Sequence, residues 1–234
     1  MSRYQLSGPV FGRFTREVRD TLTGCRLVMK GPFSPSPLEE RFAHESKVLS
    51  QLNIEGVVGL RNCLRAPRRC WLIMDRLPGN SLDKVSIAPE RAGWLIARIA
   101  RLLALCHQKS WVHGDICPGN IQVNGRKVWL LDFGAALPLG KRYPVKRQMR
   151  PVWSSPTLIN GSGKVSTGDD VYSLMLLGCS LLSGSRRACP KVHSGCRWQR
   201  PGRLSRRQWR FISQGLERPE TIHIHDLVTQ ALGW

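Results

Sequence analysis

Acidic residues are scarce in this chain: 16 Asp and Glu stand against 36 Lys and Arg in 234 residues, a formal charge of +20. A surface so unbalanced cannot be neutralised internally and favours acidic partners. Long hydrophobic runs are missing too. The longest mostly apolar stretch, residues 173–182, is far short of the ~20 residues that cross a bilayer as a helix, which excludes a transmembrane segment. The first ten residues hold no basic segment followed by an apolar stretch, so no signal peptide is expected and the expected location is cytoplasmic. The eight cysteines include no Cys-x-x-Cys pair, and without a secretory signal they are expected to be reduced thiols. Cys189, His193 and Cys196 lie close in sequence, but three candidate ligands without a second pair favour loop thiols over a zinc site. There is no internal repeat or low-complexity tail, and 41% hydrophobic with 22% charged residues excludes disordered and fibrous classes.

What is present is a change of periodicity along the chain. Residues 10–14, 25–29 and 71–74 carry β-formers or apolar residues bounded by Gly, Pro and Asp-type breakers and predict strands. After Pro37, the three-and-four spacing of Phe42, Glu45, Val48, Leu49 and Leu52 predicts a helix. The Pro78-Gly79-Asn80 turn marks a hinge. Beyond it, Leu95, Ile99, Leu102, Leu103 and Cys106 form one helical stripe, and a loop from His113 to Asn120 precedes a β-type stretch at 128–131. Thr167 with Asp170, and Ser205 with Gln208, read as capping boxes that open two further helices, and residues 222–232 make a last one. A small β-rich half (1–77) joined to a larger helical half (78–234) is an α+β, two-lobed plan within a single domain.

One constellation dominates the chemistry. Lys30 ends a strand, Glu45 lies on the next helix, His113-Gly-Asp-Ile-Cys-Pro-Gly-Asn120 forms a loop, and Asp132-Phe-Gly134 follows a short strand. In order and spacing this set resembles the signature of the protein kinase superfamily, specifically the eukaryotic-like serine/threonine protein kinases. The resemblance covers nearly the whole chain, with the helix after Asp170-Val-Tyr172 similar to the family's buried helix and Glu217-Arg-Pro219 similar to its late Arg-Pro motif. It implies a two-lobed kinase fold, ATP and Mg²⁺ as cofactors, and transfer of a phosphoryl group to Ser/Thr hydroxyls of a protein substrate. It also implies ATP-binding positions at Gly8, Gly12, Lys30, Glu45, Met74 and Asp75. The residue chemistry fits those roles. Phosphoryl transfer needs charge neutralisation and alignment more than covalent help. Lys30 can serve as a cation for phosphates, with Glu45 holding its ammonium in place. Asn120 and Asp132 offer hard oxygen ligands for Mg²⁺. Asp115 can accept a hydrogen bond from the incoming hydroxyl and orient it.

Several positions depart from the family pattern. The stretch Leu6-Ser-Gly-Pro-Val-Phe-Gly-Arg13 keeps Gly8 and Gly12 but lacks the full Gly-x-Gly-x-x-Gly, so Gly8 reads either as a phosphate-approach glycine or as a turn glycine. Gly114 stands where protein kinases usually carry the Arg that reads an activation-loop phosphate, and residues 135–152 contain no Ser or Thr and a single Tyr, Tyr143. The resulting His-Gly-Asp is also similar to small-molecule kinases of the aminoglycoside and choline type, an alternative reading. Cys117 stands where serine/threonine kinases usually have a Lys that neutralises the transferred group, which supports a second alternative: a pseudokinase acting as a basic binding module. Thr157 replaces the Glu of the Ala-Pro-Glu element, leaving Arg218 without its expected partner.

The charge excess is concentrated. Between Arg186 and Arg210 stand nine Lys/Arg and no acid, with Trp198 and Trp209 interleaved, and residues 141–150 add five more. A run without acids is not salt-bridged, and an acidic protein, a nucleic acid or an anionic lipid is the expected partner class.

Overall fold

The computed structural model describes residues 3–12, 14–33, 38–67, 69–146, 149–184 and 198–234. Cys189, His193 and Cys196, expected as loop residues in preference to a zinc site, and the first part of the basic run lie outside the described residues. The chain divides into two compact units, residues 1–78 together with Asp132–Gly134, and residues 79–131 together with 135–234.

The first unit is a five-stranded antiparallel sheet, in the order β1-β2-β3-β5-β4, with one helix. It consists of β1 (Tyr4–Gly12), β2 (Thr15–Asp20), β3 (Arg26–Phe33), α1 (Leu38–Gln51), β4 (Leu60–Ala66) and β5 (Arg69–Asp75). Strands β2 and β4 were not expected. In β2 the single apolar residue is Val18, and in β4 the apolar residues Leu60, Cys63, Leu64 and Ala66 break the alternation, so neither shows the period-2 pattern that marks a strand in sequence. Tyr4, Val18, Leu27 and Ile73 make the core of the sheet, flanked by Met29 and Leu64. The predicted stripe of α1 is buried as a face: Phe42, Val48, Leu49 and Leu52 are all less than 5% exposed, and Glu45 lies among them at 2%. Because 3.6 residues make a turn, Glu45 must share that apolar face, and a carboxylate there requires a partner.

The second unit is mainly helical. It holds α2 (Pro89–Gln108), α3 (Pro156–Asn160), α4 (Gly168–Leu182), α5 (Arg206–Glu217) and α6 (Ile224–Leu232). Its small sheets are β6 (Asn80–Ser81), β8 (Ile121–Asn124) and β9 (Lys127–Leu130) in the order β6-β8-β9, and a pair of β7 (Trp111–Val112) with β10 (Leu137–Pro138). Helix α4 is buried almost all round, as expected of its apolar sequence. The capping box at Ser205 forms: its side chain accepts from the Gln208 amide while the Gln208 side chain accepts from the Ser205 amide. The one expected at Thr167 does not. Thr167 has helical backbone and no side-chain cap bond, because Asp170 is committed elsewhere: its carboxylate accepts from the backbone amides of His113 and Gly114, both at 2.9 Å.

Candidate active site

In the first unit, β3 and α1 bring Lys30 and Glu45 together, and the returning segment Asp132–Gly134 adds a third charge. The Lys30 Nζ lies 2.8 Å from both Glu45 oxygens and 2.9 Å from Asp132 Oδ1. Burial works to lower the Lys30 pKa, but the two carboxylates outweigh it and the net shift is upward, so the ammonium is held charged. Burial pushes Glu45 up while Lys30 pulls against it. Asp132 takes a left-handed backbone conformation, φ 55°, which Asp tolerates better than most residues. The Gly134 amide donates to its Oδ1 at 3.3 Å. One cation between two carboxylates is a site that can exchange a carboxylate contact for a phosphate oxygen.

The other ATP-binding candidates lie in the same unit. Gly8 sits inside β1 at an irregularity between Leu6 and Val10, not in a turn. A β-carbon there would lie 2.7 Å from Glu17 Oε1. Glu17 is itself buried and ion-paired with Arg76 at 3.0 Å, so packing against this pair accounts for a glycine at position 8. Gly12 ends β1. Met74 and Asp75 close β5; Met74 is buried opposite Val28, and Asp75 is ion-paired with Arg61.

In the second unit, the loop after β7 is held from beneath. Asp170 of α4 accepts from His113 and Gly114, and from His107 Nε2 at 2.8 Å. Burial alone would raise the Asp170 pKa, yet these donors drive it below the ordinary carboxylate range. His113 Nε2 lies 3.0 Å from the Leu131 carbonyl and its Nδ1 accepts from the Asp115 amide at 3.3 Å, which one neutral tautomer satisfies. Gly114 has φ +72° and a β-carbon would lie 2.8 Å from the Ala135 carbonyl oxygen. Asp115 is 3% exposed. Asn120 Nδ2 donates to its backbone oxygen and to Oδ2, both at 2.8 Å, which leaves the Asn120 amide oxygen as a donor atom for a hard cation. The Asn120 amide oxygen in this unit and the Asp132 carboxylate in the first unit are each a hard oxygen ligand of the kind Mg²⁺ takes.

Three features escaped the sequence reading. Arg150 pairs with Asp115, its Nε 2.8 Å from Oδ1. Tyr143 is buried and donates to Asp169 Oδ2 at 2.7 Å. Thr157, in place of a Glu, donates to Asp169 Oδ1 at 3.1 Å, beside Ser155, which donates to the same oxygen. Arg218 is exposed and has no ion pair among the described residues. A Thr-Asp-Ser hydrogen-bond cluster thus organises the segment where the family pattern carries a Glu-Arg pair. The single signal for it in sequence is the doubled Asp169-Asp170 before the buried helix.

Comparison with known proteins places these features. A family model described as the protein kinase domain matches residues 17–201. The chain is 26% identical over 190 residues to the serine/threonine-protein kinase dkf-2 of Caenorhabditis briggsae, a match covering 76% of this chain and 16% of that protein. It is 30% identical over 160 residues to the serine/threonine-protein kinase pkn2 of Myxococcus xanthus, covering 63% of this chain and 19% of the relative. It is 27% identical over 188 residues to the serine/threonine-protein kinase PknA of Mycobacterium tuberculosis, covering 73% of this chain and 43% of the relative. Each match spans less than half of the relative's own length.

Proposed function

The chain belongs to the protein kinase domain family, and from that premise we propose that it transfers the γ-phosphoryl group of Mg-ATP to Ser/Thr hydroxyls of a protein substrate. The observation that carries the reading is the Lys30–Glu45–Asp132 cluster, with Nζ within 2.9 Å of both carboxylates. A buried ammonium paired this way adds nothing certain to stability, because desolvation offsets most of the Coulomb gain. A charged phosphate ligand gives the arrangement a use. In this reading Lys30 holds nucleotide phosphates and Glu45 holds Lys30. Gly12 lines the phosphates while Met74 and Asp75 contact the base and sugar. Asp132 and Asn120 hold Mg²⁺, and Asp115 orients the acceptor hydroxyl.

Thermal melts with Mg-ATP, ATP alone and Mg²⁺ alone test the nucleotide half. Mg-ATP at a hundredfold excess over Kd stabilises the wild type by ~2.7 kcal/mol through mass action. Asp132→Ala removes the metal-dependent part. No shift in the wild type, or an equal shift in the variant, contradicts the proposal. The neutral Cys117 favours a second reading, a kinase-fold binding module that holds nucleotide without transferring phosphate; phosphate incorporation separates the two.

The basic run from Arg186 to Arg210 is assigned to docking of an acidic partner. Arg203, Arg206, Arg207 and Arg210 are exposed, and none has a carboxylate partner among the described residues. Acidic protein, nucleic acid and anionic vesicles are distinguished by titration at several salt concentrations, because a nucleic acid loses affinity linearly on a log–log salt plot.

A further inference from the structure

The Asp115 carboxylate is enclosed, its side chain 1% exposed, and among the described residues its ion-pair partner is Arg150. Arg150 Nε donates to Oδ1 at 2.8 Å and to Oδ2 at 3.0 Å across a sequence separation of 35 residues. The Arg150 side chain is 48% exposed, while the backbone of the residue is held locally. Its backbone amide donates to Ser154 Oγ at 3.0 Å, and its carbonyl accepts from the Trp153 and Ser154 amides, both at 2.8 Å. The turn is anchored in its own unit by Ser173 of α4, whose hydroxyl donates to the Trp153 carbonyl at 2.8 Å. Two residues after Asp115, Cys117 offers no charge. Burial pushes its thiol up to about 11, Asp115 adds to the rise and Arg150 opposes it. Position 117 therefore lies within the field of both partners yet contributes no cation of its own.

We propose that Arg150 is the positioning residue of Asp115, supplying from the segment before α3 the positive charge that the loop itself lacks. The guanidinium fixes the carboxylate rotamer that receives the acceptor hydroxyl. As the hydroxyl oxygen bonds to the γ-phosphorus, the bond to the β,γ-bridging oxygen breaks and ADP leaves with the electron pair. The hydroxyl proton passes to the Asp115 carboxylate. The proposal rests on the phosphotransfer reading above and names a residue that the reading does not use.

The test measures kcat and the KM for ATP, with labelled Mg-ATP and a panel of Ser/Thr peptides. The proteins are the wild type, Arg150→Ala, Arg150→Lys and the double variant Arg150→Ala/Cys117→Lys. Removing a preorganised charge at the reacting group lowers kcat by about a hundredfold, with the KM for ATP within about twofold of wild type. Arg150→Lys recovers part of the rate, because it keeps the positive charge but not the Nε–H shared between the two carboxylate oxygens. Cys117→Lys recovers more, because it returns a cation to the loop. If Arg150→Ala is as active as the wild type, or more active, the positioning role is overturned and the phosphotransfer reading stands. If Arg150→Ala is inactive and neither lysine variant recovers any rate, the residue is structural and the proposal is likewise overturned. A wild type that transfers nothing overturns the phosphotransfer reading, and the role of Arg150 with it.

Discussion

Tyr143 donates its hydroxyl to Asp169 Oδ2 at 2.7 Å and is 9% exposed. Tyr143 is also the single hydroxyl-bearing residue of 135–152, so the residue that a regulatory phosphate would need is already used to hold the segment. Treatment with a phosphatase is expected to leave the transfer rate unchanged. Tyr143→Phe is expected to cost about 1 kcal/mol in urea unfolding, the net worth of one hydrogen bond, since Asp169 keeps Ser155 and Thr157 as donors. A phosphatase-treated protein that falls silent contradicts this account.

Asp170 carries the loop of Asp115 from below. Asp170→Asn keeps the shape but replaces one acceptor oxygen with a donor facing the backbone amides of His113 and Gly114. The expected loss is about 3 kcal/mol, the scale for breaking a buried, charge-assisted network. Urea unfolding measures it; a loss under about 1 kcal/mol, the worth of one ordinary hydrogen bond, would show that the amides find other acceptors.

The interlock of α2 and α6 decides the sign of a substitution at Gly93. In an open helix Gly→Ala stabilises by about 1 kcal/mol. Here a β-carbon would lie 2.2 Å from the Ala231 carbonyl oxygen and 3.0 Å from Trp234 Cβ, so the backbone must separate. Gly93→Ala is expected to destabilise by about 2 kcal/mol, the usual scale of overpacking. A raised melting temperature contradicts the packing described.

Acid stability gives a further check. The side-chain hydrogen bond from Arg3 is the chief cause that lowers the Asp20 pKa to about 2, aided by the Leu22 amide. An unfolded Asp titrates near ~3.9. The folded value is the lower one, so the pair's contribution is present above about pH 4 and is lost as pH falls through about 2. Melting temperatures of Asp20→Asn and wild type, compared between pH 5 and pH 2, are expected to converge as acid increases. A gap that stays constant contradicts the linkage.

Much of this was legible in sequence where one local pattern decides. The α1 stripe placed Glu45 on a buried face, and Ser205 with Gln208 form their box because both partners lie within one turn. The rest depended on distant partners. Asp170 resembles a cap residue locally, yet it is drawn to amides 56 and 57 residues away in sequence. Gly8 resembles a phosphate-loop or turn glycine, yet its neighbour is Glu17 on the adjoining strand. Arg150 stands in a run of solvated cations, and nothing in that run marks the one member that reaches a buried carboxylate. Strands β2 and β4 carry no apolar alternation: β2 buries the acids Glu17 and Asp20 beside its one apolar residue, Val18, and the apolar residues of β4 fall out of period 2.

The central claim is that Asp115 serves the transfer of phosphate and not the holding of nucleotide. It is tested most directly by phosphate incorporation from labelled Mg-ATP into Ser/Thr peptides, comparing wild type with Asp115→Asn, alongside Mg-ATP thermal shifts of both proteins. The expected result is incorporation by the wild type, its loss by a factor of at least ~10² in the variant, and a nucleotide-dependent shift retained in both. A variant as active as the wild type, or a wild type that binds Mg-ATP and transfers nothing, would contradict the account.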